Sequence, residues 1–232
     1  MKISCILLLL LPAIALAQMN NPEAKRKPYG MGATELIFSS SQVKDSRHSV
    51  DAIVRFSAFF HVAQQIHVDF GRTAGFYTGW GIRNVGFINR LDDSVKIKQR
   101  SYSLGIPLAL KIGNMEKQVW LAAGAEAGLM FAYKQKVFYA GEKFKDHEWF
   151  SDKVNIFNPS VFAEIHFRKG GYIKAKYYLN NFLKKDKQEI KLFGTLYPYS
   201  PESSKMFYIS IGTAVKNKDA KRRLNRQRDR QT

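Results

Sequence analysis

Nine side chains that can carry charge or a proton fall where alternation would gather them on one face: His61, His67, Asp69, Arg83, Glu126, Glu164, His166, Lys174 and Lys176. Three chemistries are open to such a set. Ester or acyl hydrolysis needs a serine or a water within reach of a histidine. The chain has no His-x-Ser spacing, and His67-x-Asp69 and Glu164-x-His166 are the nearest arrangements. Metal binding fails on distance: in an extended chain His61 and His67 stand about 20 Å apart, at ~3.3 Å per residue. The third chemistry is mutual neutralisation. A three-residue turn over Lys169, Gly170 and Gly171 would place His166 opposite Lys174 and Glu164 opposite Lys176, the latter an ion pair. Arg83, Glu126, Glu164, His166, Lys174 and Lys176 are therefore expected to form a polar network that fills an interior. No residue is expected to be catalytic, and no cofactor or metal site is expected.

The elements that would hold these residues read as strands. In 55–70 (RFSAFFHVAQQIHVDF) the even positions carry Phe56, Ala58, Phe60, Val62, Ile66, Val68 and Phe70. The odd ones carry Arg55, Ser57, His61, Gln65, His67 and Asp69, with Gln64 on the even face and Phe59 and Ala63 on the odd face as exceptions. A strand sends successive side chains to opposite faces, so this is one long strand with an oily face and a wet face. A helical period also fits several of these phenylalanines, but Val62 and Val68 fit alternation alone. The same logic recurs at 32–41, 75–89, 96–112, 119–133, 161–168, 172–183 and 206–215. Within 75–89 the pattern predicts a phase slip near Asn84, because Val85 and Phe87 are odd-numbered while Phe76 and Ile82 are even; a bulge there would re-aim the strand. Pro107 cannot donate to a ladder, so 96–112 is expected to bulge or break at that residue. The segments 43–51, 138–158 and 184–204 read as loops. Trp80, Tyr102, Trp120, Tyr133, Tyr177 and Phe207 are candidates for an interfacial aromatic girdle, wherever they reach the outer face near its ends.

The start of the chain sets the compartment. Residues 1–17 (MKISCILLLLLPAIALA) combine a lysine, an apolar run too short to span a bilayer and an Ala-Leu-Ala cleavage site, the pattern of a secretory signal peptide. Removing 17 of 232 residues leaves 215, a single-domain length. The one cysteine, Cys5, leaves with the signal, which excludes disulfides and thiol chemistry in the mature chain. Residues 18–31 read as a flexible lead-in, 32–215 as the folded domain, and 216–232 as a basic disordered tail. The full chain carries a formal charge of +18, and the tail holds eight basic residues against two acidic ones. Export argues against nucleic acid as the partner. The anions within reach are lipid phosphates and acidic partners of the envelope.

Eight alternating segments, with short turns after the even ones and long connections after the odd ones, describe an all-β, eight-stranded antiparallel up-and-down transmembrane β-barrel. A soluble lipocalin-like barrel has the same strand count but turns its apolar face inward. Here the second face is Ser, Gln, His, Lys, Glu and Gly, which suits a polar barrel interior.

Residues 76–88 (FYTGWGIRNVGFI) and the GIPLALK run at 105–111 resemble the small porin-like outer-membrane β-barrel proteins of Bacteroidota. The resemblance spans nearly all of the mature chain except the tail. It implies fold and location: an outer-membrane barrel with both termini in the periplasm. The basic tail departs from the aromatic C-terminal strand end common in such barrels. The expected role is non-enzymatic, structural or interactive. A narrow solute channel and a lipid-modifying enzyme are the alternatives.

Overall fold

The computed structural model describes residues 27–218, apart from 93, 186, 189, 194 and 198. The expected signal peptide, most of the lead-in and the tail beyond 218 lie outside the described residues. The strands are β1 (Tyr29–Lys44), β2 (Val50–Ile53), β3 (Arg55–Ser57), β4 (Val62–Phe70), β5 (Ala74–Leu91), β6 (Val95–Asn114), β7 (Val119–Tyr139), β8 (Glu142–Trp149), β9 (Ser160–His166), β10 (Gly171–Tyr178), β11 (Ile190–Leu192), β12 (Thr195–Tyr197) and β13 (Ser203–Lys216).

Eight of them form a ring, each antiparallel to its neighbour in chain order: β1, β4, β5, β6, β7, β9, β10 and β13. β13 closes the ring on β1 through a ladder from Met31–Lys216 to Lys44–Ser203. This is the eight-stranded up-and-down barrel expected. The turns after β4, β6 and β9 are tight and lie at one end with the start of β1 and the end of β13; we call this the turn end. The long connections crowd the opposite, loop end.

Alternation places the side chains as the sequence pattern predicts, with the oily face outward. Leu104, Ile106, Leu108, Leu110 and Ile112 are exposed on β6, and Ile209 and Ile211 on β13. Val161 and Ile165 on β9 and Val62 and Ile66 on β4 continue the same belt. Inward positions are buried whether polar or apolar.

Several expectations are corrected. Residues 55–70 are not one strand: β3 and β4 are separated by residues 58–61, where Phe60 takes a positive φ of 64°. The excursion spans an even number of steps, so Ser57 and His61 both still point inward. The loop expected at 43–51 gives way at its end to β2, which pairs with the far end of β5. β5 has no phase slip at Asn84, because Val85 and Phe87 point inward with Tyr77 and Arg83 and the ladder to β6 keeps one register throughout. The bulge sits instead in β7, where the pairing with β6 shifts between Tyr102 and Ser103 and Phe131 is the extra residue. It turns Tyr133 inward, so neither Tyr133 nor Trp120, both buried, belongs to the outer girdle. β6 runs unbroken through Pro107, which pairs with Glu126 on the β7 side. On the β5 side the ladder skips Gly79 and Trp80, and the Thr78 hydroxyl donates to the Pro107 carbonyl at 2.8 Å. The barrel begins at Tyr29 and ends at Lys216, slightly wider than 32–215. The segment expected as a loop at 138–158 contains β8, a hairpin partner that extends β7 beyond the ring.

The interior has two zones. Towards the loop end lies a hydrophobic core of strand residues, among them Ile37, Phe87, Ile97, Met130 and Tyr208. Phe182, Leu183, Ile190, Leu192 and Tyr199, from the connection between β10 and β13, pack into the same core. That connection, expected as an open loop, folds into the mouth and carries the β11–β12 hairpin. Leu183 and Phe182 leave β10, which stops at Tyr178. The waist is charged, and towards the turn end charged groups share the interior with two smaller apolar clusters, one around Tyr77, Trp120 and Phe162 and one around Met31, Ala33 and Tyr172.

Candidate functional site

The waist is a network of buried charges supplied by strands around the ring. Arg83, from β5, donates through Nε to Glu35 on β1 at 2.5 Å and through Nη1 to Glu126 on β7 at 3.0 Å. Lys176, from β10, contacts the other Glu126 oxygen at 2.7 Å. Lys174, two residues earlier on the same inward face, pairs with Glu164 on β9 at 3.0 Å. The Tyr77 hydroxyl donates to Glu164 at 2.6 Å, and the Ser210 hydroxyl on β13 donates to Glu35 at 2.6 Å. His166 Nε2 lies 3.2 Å from Glu164, and its ring is stacked on Trp120 and Tyr172. Nearer the turn end, Lys111 on β6 bonds Asp69 at 2.6 Å and lies 3.2 Å from His67 Nδ1.

The six residues expected to line the interior are all buried, and their contacts fall into two sets, Arg83–Glu126–Lys176 and Lys174–Glu164–His166. The expected partner of Lys176 is corrected. β9 and β10 pair Glu164 with Lys174 and His166 with Tyr172, while Lys176 lies opposite Phe162. The loop is Arg168, Lys169 and Gly170, one residue earlier than expected, with Lys169 and Gly170 both at positive φ. Gly170, not Gly171, ends the turn, because its φ of 91° suits a glycine and a Cβ there would collide with the Ala214 carbonyl. The two-residue change in pairing keeps every side chain on its face but hands Lys176 to Glu126.

The pattern reading missed Glu35 and did not single out Lys111. Glu35 sits where Ile37 and Phe38, adjacent and both apolar, blur the alternation. The signal that could have found it is Leu36 and Phe38 facing out together, which forces Glu35 inward. Gly105 also matters: it faces the lumen opposite the Glu126 carboxylate, where any Cβ would collide with it.

Four carboxylates (Glu35, Asp69, Glu126, Glu164) meet four cations (Arg83, Lys111, Lys174, Lys176) in this set. The balance leaves no net charge to attract an ion. Among the described residues, no group of three or more His, Cys, Asp or Glu side chains could hold a metal ion.

One contact has the appearance of a hydrolase pair. Ser57 Oγ lies 2.8 Å from His61 Nε2, across the excursion between β3 and β4. The backbone N–H of Asn84 donates to His61 Nδ1 at 3.2 Å. A neutral imidazole carries one proton, so Nδ1 accepts, Nε2 bears the hydrogen, and Nε2 donates to Ser57. A histidine in this tautomer cannot take the serine's proton. It serves as a clamp that ties the interrupted strand to β5.

A closed antiparallel barrel with a charged, sealed interior and an apolar exterior is the class of fold these observations define. No protein-family model matches the chain. No curated protein sequence matches it. Among solved structures it is similar to Ail, the attachment invasion locus protein of Yersinia pestis, at 12% identity over 81% of this chain and 99% of that one, with a TM-score of 0.35. Neisserial surface protein A matches at 12% identity over 82% and 99%, TM-score 0.38. The outer membrane protein OprG from Pseudomonas aeruginosa matches at 10% identity over 83% and 97%, TM-score 0.37.

Proposed function

We propose that the chain is an integral outer-membrane β-barrel protein with a non-enzymatic structural or interaction role in the cell envelope. The observation that carries the reading is the inversion of faces. Large apolar side chains stand exposed around the outside of a closed ring, while charged ones are buried within it. A soluble domain would expose such a belt to water at a cost of roughly 25 cal/mol per Å². In lipid the belt is the solvated face, and closure leaves no backbone edge unpaired. From Leu104 to Ile112 the exposed row runs about 26 Å along β6 at ~3.3 Å per residue, close to the roughly 25 Å apolar band of such barrels.

The turn end, with both strand termini, faces the periplasm in this reading, and β8 with the long connections faces outward. The signal peptide delivers the chain. The basic tail meets anionic lipid or an acidic envelope partner on the periplasmic side. The neutral network across the waist and the packed mouth argue against a solute channel, and the His61 tautomer argues against a lipid hydrolase.

The test is gel migration of the membrane fraction with and without boiling, paired with planar-bilayer conductance. A carbonate-resistant band that shifts on heating, with no conductance steps, is the expected result. A protein released from membranes by carbonate and unshifted by heat would reject the membrane reading. Steady conductance steps would restore the channel.

A further inference from the structure

The outer face of the barrel changes character along β6 and β7, and it does so at a sharp level. Up to Leu104 and Leu129 the outward side chains are aliphatic. Next comes a row of rings across neighbouring strands. Phe60 meets Tyr102 edge-on at 5.9 Å, Tyr102 stacks with Phe131 at 6.1 Å, and Phe131 stacks with Trp149 at 6.1 Å. Aromatic rows of this kind mark the membrane–water interface in barrels.

Immediately beyond the rings, towards the loop end, the outward positions of β6 and β7 are cations, with His147 facing Lys134 from β8. The register sets Arg100 directly opposite Lys134, and Lys98 directly opposite Lys136. Lys136 is in turn opposite Lys145 on β8. Like charges directly opposite one another on a sheet are destabilising. Among the described residues no carboxylate forms an ion pair with any of these five. Such an arrangement asks for anions from outside the protein.

A groove of about 440 Å³ lies at the same level. It opens where the ladder between β4 and β5 stops at Ile82, before β2 takes over at Ile88. Phe56, Phe59 and Phe60 line one side, and Lys98, Arg100, Lys134 and Lys136 line the other. Phe59 and Phe60 are 76% and 66% exposed, though nothing in the interior requires them to stand out. The groove is thus greasy on one wall and cationic on the other, and it sits astride the ring of aromatics.

We propose that this groove is a binding site for a phosphorylated, acylated lipid of the outer leaflet. Its acyl chain lies against Phe56, Phe59 and the β6 belt, and its phosphates bridge the Arg100–Lys134 and Lys98–Lys136 pairs. The proposal rests on the outer-membrane reading above and adds the ligand's chemistry. The phosphate neutralises the facing cations, and the acyl chain covers the protruding phenylalanines. A free anion would satisfy only the first, which is why a lipid is the occupant.

The experiment compares the full mature protein with a K98Q/R100Q/K134Q/K136Q variant and with an R168Q/K169Q control at the turn end. Native mass spectrometry in detergent reads the binding of diphosphoryl lipid A and of phosphatidylcholine, and heat-modifiable migration is run on every sample. Wild type and control should prefer lipid A by about tenfold or more, a preference that weakens as salt rises. The quadruple variant should lose that preference while still shifting on heating. A heat-modifiable quadruple variant that binds lipid A like wild type would overturn the site. Displacement of lipid A by inorganic phosphate or heparin as readily as by more lipid A would overturn the lipid as its ligand. A wild-type protein that neither shifts on heating nor resists carbonate would bring down the membrane reading itself, and the site with it.

Discussion

Arg83 bridges Glu35 and Glu126, and no other described cation contacts Glu35 in an ion pair. Arg83→Met therefore removes the direct ion-pair partner of Glu35 and leaves Lys174 to act on it only across a gap, whereas Lys176→Met leaves Glu126 still held by Arg83. Removing one partner of a buried pair costs roughly 3–5 kcal/mol. The expected order in urea unfolding of the membrane-inserted protein is a large loss for Arg83→Met and a smaller one for Lys176→Met. Equal losses would mean the network does not act through Glu35. Beyond the ring, at the loop end, Lys153 shows the opposite balance of forces. Burial works to lower its pKa, but hydrogen bonds to Asp146 at 2.5 Å and Glu148 at 2.7 Å prevail and hold the ammonium above the ordinary lysine value. A raised folded-state pKa stabilises fully below the ordinary value of 10.5 and is lost as pH climbs through the folded one. The tie between β8 and the connection after it should thus be insensitive to pH from neutrality to about 10 and loosen above it. Limited proteolysis near residue 153 reads this, and Lys153→Met should cleave readily at every pH. At this scale the sequence discloses which side chains turn inward, because alternation needs only parity. It does not disclose partners: Lys176 exchanges Glu164 for Glu126 through a change in turn position that leaves parity untouched.

Turns, bulges and interruptions decide what each strand presents. The Arg168–Gly170 turn is the clearest case, since its last residue needs both a positive φ and the absence of a Cβ. Gly170→Ala should cost on the order of 1–3 kcal/mol, seen as a lower temperature for the gel shift, while Gly171→Ala, with nothing near its Cβ, should cost little. A matching loss at both positions would count against the turn as drawn. That β5 and β6 are strands was legible in their alternation, but their continuity was not, since a slip was expected at Asn84 and a bulge or break at Pro107. What escaped was local. The Phe131 bulge leaves an apolar–apolar neighbour pair that reads equally well as a phase slip elsewhere. The excursion at 58–61 preserves parity and so leaves no trace in the pattern. Val85 and Phe87 mimic a slip only because the lumen turns apolar towards the loop end, which a search for a uniformly polar interior misreads. β8 was hidden by its composition: a strand that stands clear of the ring has no oily face to alternate.

The molecule as a whole is closed twice, by charge at the waist and by the packed connection at the mouth. Deleting residues 184–200 would strip Ile190, Leu192 and Tyr199 from the upper core. The barrel should remain heat-modifiable and non-conducting in bilayers, since the waist network is intact; conductance after this deletion alone would show the mouth to be the real seal. The eight-stranded architecture was readable from strand count and from the rhythm of short and long connections, and the double closure was not, since it depends on where a loop packs. The meeting of β1 with β13 carries a consequence for how such a chain can be made. Every other ring pairing joins segments near in sequence, but this one waits for the last residues to arrive. Until then two strand edges stand open beside an oily wall, a state prone to sticking to other chains. Long-range pairing is slow. The lifetime of the polypeptide as an open ribbon, before its last strand arrives, should therefore weigh more than its final stability in setting how much of it survives.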